Sequence, residues 1–142
     1  MIVNLKNKKA LVTGGGTGIG QGIAKALADA GAKVAFTSRK KSSLNKTFKL
    51  LGSNKKHLPC NIDLSKKGSV DKLYKKLKKE FGTIDIVINN IGHGLNKKDP
   101  FTSILNWENS MRLNFLLPVE VVNRFVGDMK KKNWGRIINI TS

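Results

Sequence analysis

The sequence predicts an α/β protein, a parallel sheet with helices on both faces, and three observations carry that prediction. Apolar runs of strand length alternate with segments whose apolar residues return every three or four positions, the order expected of β–α–β units. The runs are rich in Val, Ile and Leu, as buried parallel strands are. The first run breaks abruptly into glycines and then into a helical pattern.

That first unit, Ala10 to Gly20, organises the chain. Ala10-Leu11-Val12-Thr13 reads as a strand, and Ile19, Ile23, Ala24, Leu27 and Ala28 recur at helical spacing after it. Strand, glycine turn and helix together form the context in which a glycine motif marks a dinucleotide site. Gly14 suits a tight turn that a side chain resists. Gly18 and Gly20 leave no Cβ between backbone and pyrophosphate, or between helix and sheet. The helix beyond them offers unpaired N–H groups and its positive dipole end to phosphates.

The remaining elements follow in order. The first helix stops near Ala30-Gly31, with glycine ending it. Lys33 to Thr37 is a second strand, then Ser38-Arg39-Lys40-Lys41 and a helix carrying Leu44, Phe48 and Leu51 on one face. His57-Leu58-Pro59-Cys60 is a weak third strand, whose proline suggests an edge position. His57 reads as a surface residue, because no partner spacing supports a metal. Val70, Leu73, Leu77 and Phe81 mark an amphipathic helix with lysines on its solvent side. Ile84 to Ile88 forms a fourth strand leading into Asn89-Asn90-Ile91-Gly92 and a polar loop through Pro100. A long helix spans roughly Leu105 to Met129, with Trp107, Met111, Leu113, Val122, Phe125 and Met129 available for packing and Pro118 breaking or kinking it. Arg136 to Thr141 is the fifth strand, and the sequence stops at Ser142.

Composition narrows the function classes. A chain of 142 residues suggests one domain with a real core. It has no long apolar run, no secretory-type N-terminus and a single cysteine, Cys60, which excludes an internal disulfide and fits a cytoplasmic setting. Cys60 reads as a buried, inert thiol. The balance of 27 Lys+Arg against 9 Asp+Glu gives +18, a charge that attracts phosphates, nucleic acid or acidic carriers. The lysines are scattered, without aromatic interleaving or a nucleic-acid motif, so solvated lysine faces account for them and no specific nucleic-acid partner is expected.

Taken together, the segments resemble the short-chain dehydrogenase/reductase family. Thr13-Gly14-Gly15-Gly16-Thr17-Gly18-Ile19-Gly20 matches the family's Thr-Gly-x-x-x-Gly-x-Gly nucleotide loop, and Asn89-Asn90-Ile91-Gly92 is similar to its Asn-Asn-Ala-Gly segment. Asn114 falls in the long helix where the family keeps a structural and catalytic asparagine. Gly135 to Ser142 resembles the strand that ends in the family's catalytic serine, which would be Ser142. The resemblance implies a Rossmann-like three-layer fold, here truncated after the fifth strand, and one NADP-binding domain over 1–142. It also implies hydride transfer between a nicotinamide cofactor and a carbonyl or alcohol, in the style of 3-oxoacyl-(acyl-carrier-protein) reductases.

The family's Tyr-x-x-x-Lys pair lies beyond the serine, outside this sequence. Tyr74 and Lys78 have that spacing but precede the other motifs, so Tyr74 reads as a helix-face residue. A chain ending at Ser142 would hold a cofactor site and half of a catalytic site. The alternative reading is therefore a truncated, noncatalytic NADP-binding fragment; a third is a remnant binding nucleic acid only through charge. A chain ending there would also leave an apolar sheet edge at Ile137 to Ile140 and be prone to aggregate. A family-like homo-oligomer is expected only of a complete chain.

NAD-preferring dinucleotide folds place an acid after the second strand to hold the ribose 2′-hydroxyl. This sequence has Ser38-Arg39 there and no carboxylate nearby, so NADP(H) is favoured over NAD(H), with Arg39 on the 2′-phosphate or, failing that, solvated in a loop. By position in the family, Asn61 and Ile62 approach the adenine. Asp63 is a near alternative, or else the N-cap of the next helix. Asn90 approaches the cofactor ribose or ties the fourth strand's end to neighbouring backbone. Gly14, Thr17, Gly18, Ile19, Gly20 and Gly92 complete the expected cofactor site, and the substrate is a small-molecule or carrier-bound carbonyl compound. No metal and no membrane enter this reading.

Overall fold

The computed structural model describes residues 3–52, 56–92 and 101–141. Its strands are β1 (Lys9–Val12), β2 (Lys33–Ser38), β3 (Leu58–Asn61), β4 (Ile86–Asn89) and β5 (Arg136–Asn139). They lie parallel, in the order β3-β2-β1-β4-β5. Helices α1 (Gly18–Asp29), α2 (Lys41–Leu51), α3 (Ser69–Glu80), α4 (Ile104–Met111) and α5 (Leu117–Lys131) make the crossovers. The chain steps outward from β1 to β3, then returns to place β4 on the other side of β1. That reversal opens a crevice beyond the carboxyl ends of β1 and β4, where such sheets bind ligands.

Alternation along β1, β2 and β4 feeds two cores. Ala10, Val12, Val34, Phe36, Ile86 and Ile88 pack with Ala24 and Ala28 of α1 and Leu44 and Leu51 of α2. Leu11, Ala35 and Val87 point the other way, into Leu73 and Leu77 of α3 and Leu117, Val121, Phe125 and Met129 of α5. Helices on both faces of one parallel sheet are thus the observed architecture. Proline-bearing β3 lies at one edge and β5 at the other; Ile138 and Ile140 are exposed.

Two helix ends show why local residues set the boundaries. After α1, Gly31 adopts φ +97°, its N–H donates to Ala28 O at 2.9 Å, and the N–H of Ala32 donates to Leu27 O at 3.0 Å. This paired closure demands a left-handed residue, which glycine supplies without strain. Asn133 (φ +51°) closes α5 in the same way, with the Trp134 N–H on Met129 O.

The long predicted helix runs in three pieces. Between α4 and α5 lies a π-helical turn, Arg112–Leu116, and Pro118 is the second residue of α5. Proline has no N–H for the carbonyl four residues back, which here is that of Asn114, and its ring crowds it. The wider π turn absorbs that mismatch.

Two expectations are corrected. His57 is buried, and its Nδ1 accepts the Val34 N–H at 3.1 Å, so it stitches the start of β2 to the segment before β3. Its sequence neighbours carry no sign of this, because the partner lies 23 residues away. Trp107 and Met111 are 52 % and 53 % exposed rather than packed, since α4 presents no buried residue to the sheet. Among the described residues no helix is long and apolar enough to cross a membrane, and no cluster of His, Cys, Asp or Glu could hold a metal.

Candidate functional site

A cleft of about 380 Å³ opens at the carboxyl ends of β1 to β4. It is lined by the glycine turn (Gly14, Gly16, Thr17, Ile19, Gly20), the end of β2 (Thr37, Ser38, Arg39), and the segment after β3 (Ile62, Asp63, Leu64, Ser65). The end of β4 (Asn90, Ile91, Gly92) and Leu113 of the π turn complete it. Four crossovers, distant in sequence, converge here because parallel strands all end on the same side of the sheet.

The glycine turn is built for close approach. Gly14 (φ +66°) and Gly18 (φ +54°) hold conformations that L side chains rarely adopt. A Cβ on Gly20 would overlap the Gly14 carbonyl oxygen and the Asn90 amide, so α1 can seat against β1 and β4 only with glycine there. A Cβ on Gly18 would meet nothing within 4 Å, which leaves open space in front of the first turn of α1. No side chain caps that helix end; Thr17 is extended (φ −152°) and makes no capping bond. Its N-terminal N–H groups and positive dipole are therefore available to an anion. These N–H groups can take the place of the waters that hydrate a pyrophosphate, and the residues present fit a dinucleotide.

The turn is held from behind by hydroxyl groups. Buried Thr13 donates its Oγ1 to Ile88 O at 3.3 Å and accepts the N–H groups of Asn90 at 3.0 Å and Ile91 at 3.3 Å. Thr37 Oγ1 accepts the Gly14 N–H at 3.0 Å. Asn90 Nδ2 reaches the carbonyls of Thr13 at 3.2 Å and Gly14 at 3.3 Å, tying the end of β4 to the turn while Asn90 also lines the cleft.

On the far rim, Ser38 ends β2 and exposed Arg39 follows it. Ile62 and Asp63 line the cleft beside them, whereas the Asn61 amide is engaged with the backbone of Ser38 and Arg39. Asp63 is no helix cap, because α3 begins only at Ser69, after Gly68. Its carboxylate accepts the N–H of Ser65 at 3.0 Å and its hydroxyl at 2.6 Å. The Ser65 hydroxyl, with lesser help from the nearby charges of Arg39 and Lys66, holds Asp63 below its ordinary value. Asp63 is thus an anion at neutral pH among the residues that line the cleft.

Asn114 lies in the π turn. Its Nδ2 donates to Ser110 O at 2.9 Å and Ser110 Oγ at 3.2 Å, and a Cβ added to Gly92 would come within 2.9 Å of its Oδ1. The π turn thereby brings Asn114 against the end of β4, beside cleft-lining Leu113. Ser142 and residues 93–100, expected from the sequence to be part of a polar loop, lie outside the described residues. Tyr74 is remote from the cleft: its hydroxyl donates to Asp128 Oδ2 at 2.9 Å, joining α3 to α5.

The glycine motif pointed to the turn, but nothing local pointed to the hydroxyls that brace it. Thr37, on the Gly14 N–H, and Thr47, whose hydroxyl donates to Gly16 O, are single threonines within a strand and a helix, and only their partners give them a role.

Residues 8–142 match the family model described as short chain dehydrogenase. The chain belongs to the short-chain dehydrogenase family. Among its relatives, an uncharacterized oxidoreductase of Staphylococcus saprophyticus is 34 % identical over 99 % of this chain and 61 % of its own length. A 3-oxoacyl-(acyl-carrier-protein) reductase of Vibrio cholerae is also 34 % identical, over 99 % of this chain and 57 % of its own. Among solved structures, a 7α-hydroxysteroid dehydrogenase complexed with NADH and 7-oxo glycochenodeoxycholic acid superposes with a TM-score of 0.92 at 26 % identity, covering 99 % of this chain and 55 % of that one. This short-chain dehydrogenase sequence therefore spans about 60 % of the length of these curated relatives.

Proposed function

We propose that this short-chain dehydrogenase is an oxidoreductase that uses NADP(H) to interconvert a carbonyl compound and its alcohol. The observation that carries the cofactor choice is Arg39. It stands on the cleft rim directly after β2, where an NAD-preferring site keeps a carboxylate. A guanidinium there forms charge-assisted, two-pronged hydrogen bonds to a ribose 2′-phosphate, and Lys40 adds attraction without geometry.

NADPH, when bound, supplies the hydride. The chain's own residues bind and orient: the N–H groups at the start of α1 receive the pyrophosphate, Asn90 approaches a ribose, and Ile62 with Asp63 borders the adenine end. Asn114 would hold a water on the proton's route, and Ser142 would hydrogen-bond the substrate carbonyl oxygen. The carbonyl substrate is a small molecule or is delivered on a carrier. The similarity to a carrier-protein reductase and the charge of +18, which favours acidic partners, support the carrier-bound option. A cytoplasmic setting is part of the same reading.

Titration of the full-length protein with NADPH and NADH tests the cofactor choice. NADPH is expected to bind at least about tenfold more tightly, and Arg39→Ala to lose most of that margin, since hydrogen bonds to charged groups contribute roughly 1.5–3 kcal/mol. Equal affinities for the two cofactors would sink the NADP reading.

A further inference from the structure

Asn61 ends β3 at the sheet edge and pairs in register with Ser38, the last residue of β2. Its side-chain nitrogen donates to two successive carbonyls, Ser38 O at 3.0 Å and Arg39 O at 2.9 Å. The Ile62 N–H donates to the same Ser38 carbonyl at 3.2 Å. Ser38 in turn accepts the Lys40 N–H on its Oγ at 3.2 Å. Successive carbonyls of an extended strand point to opposite sides, so two of them can converge on one nitrogen only where the chain has left the strand. The amide group has two hydrogens and here meets two acceptors. Asn61 is exposed, so water could satisfy its amide; the bonds it makes instead hold a backbone turn.

We infer that Asn61 is a positioning residue for coenzyme discrimination. It fixes the turn at Ser38–Arg39, and through that turn the direction in which the Arg39 guanidinium leaves the backbone toward the cleft. This rests on the NADP(H) reading above and assigns a residue that acts on the 2′-phosphate without touching it. A side chain of similar size lacking the N–H₂ group cannot do the same, because two carbonyl oxygens would face an apolar or acceptor group. Asn61→Asp is a poor probe, since its charge would itself repel the 2′-phosphate. Asn61→Leu removes both donors without adding charge.

The test is a double-mutant cycle on the full-length protein, with NADPH and NADH affinities measured for wild type, Asn61→Leu, Arg39→Ala and the double variant. Asn61→Leu is expected to lower the NADPH/NADH preference about fivefold to tenfold, the worth of one to two net hydrogen bonds. In the Arg39→Ala background the same change is expected to move the preference by less than about twofold, because its route to the phosphate is gone. Asn61→Ala gives the same readout if leucine at this exposed edge impairs folding, which the melting midpoint reports. An unchanged preference in Asn61→Leu, or an equal drop in both backgrounds, overturns the positioning role while the NADP(H) reading stands. A wild-type protein with no preference for NADPH overturns both.

Discussion

The hydroxyl of Thr47, in α2, donates to the carbonyl of Gly16, in the glycine turn, at 3.1 Å across 31 positions of sequence. The same oxygen accepts from Gln21 Nε2 at 2.8 Å, so α1, α2 and the turn meet on one fully buried side chain. Thr47→Val keeps the shape but leaves the buried Gly16 carbonyl short of a donor. It is expected to cost about 1–2 kcal/mol of stability and to weaken dinucleotide binding severalfold. Chemical denaturation and cofactor titration check the two effects; a variant as stable as wild type would show that the bond contributes nothing.

Two glycines of α1 should respond in opposite ways. At Gly20 a methyl group would collide with the Gly14 carbonyl and the Asn90 amide, neither of which can move without opening the turn. Gly20→Ala is expected to abolish dinucleotide binding and to lower stability by more than about 2 kcal/mol. Exposed Gly22 meets nothing within 4 Å. Gly22→Ala is expected to stabilise the helix by about 0.5–1 kcal/mol and leave binding intact. A thermal melt of each variant decides; similar losses in both would contradict the steric account.

Acid titration probes the seam between α3 and α5. Burial raises Asp128, but hydrogen bonds from Lys78 and Tyr74 and the charge of Lys131 outweigh it and hold the carboxyl below its ordinary value. Its folded-state value thus lies below its unfolded one. The resulting stability is present at neutral pH and above, and is lost as pH falls through the folded-state value. Because Lys78 is partly exposed, the contribution is modest. Asp128→Asn is expected to lower stability by roughly 1 kcal/mol at pH 7, with the gap to wild type closing below about pH 4. A gap that stays constant down to acid pH would show that the charge is irrelevant.

Cys60, in β3, is buried, and burial pushes its thiol up to about 11. It is a protonated, shielded group at neutral pH. Alkylation of the native protein by iodoacetamide is expected to be slow, and to become fast only on unfolding. Rapid labelling of the folded protein would mean that the edge strand opens readily.

Much of the fold was legible because its signals are local. Strand runs and helical periodicity depend on residues a few positions apart, and Gly31 could be read as a helix end because left-handed backbone is a property of one residue. Pro118 likewise announced a break, though the form of that break, a π turn carrying Asn114, depends on how α4 and α5 continue into one another.

The sequence by itself determined the alternation of strands and helices, the glycine turn poised at a helix start, and the lack of an acid after β2. Tertiary structure alone decided which distant groups meet: Thr47 with Gly16, His57 with Val34, the Asn61 amide with the turn that carries Arg39. It also decided that Trp107 and Met111 stand exposed, although their spacing suits burial. The physical reason is that an apolar or polar side chain declares what it can bond, but its partner is set by strand order and by which face of the sheet each helix covers. Those relationships span tens of residues and leave no trace in any one segment.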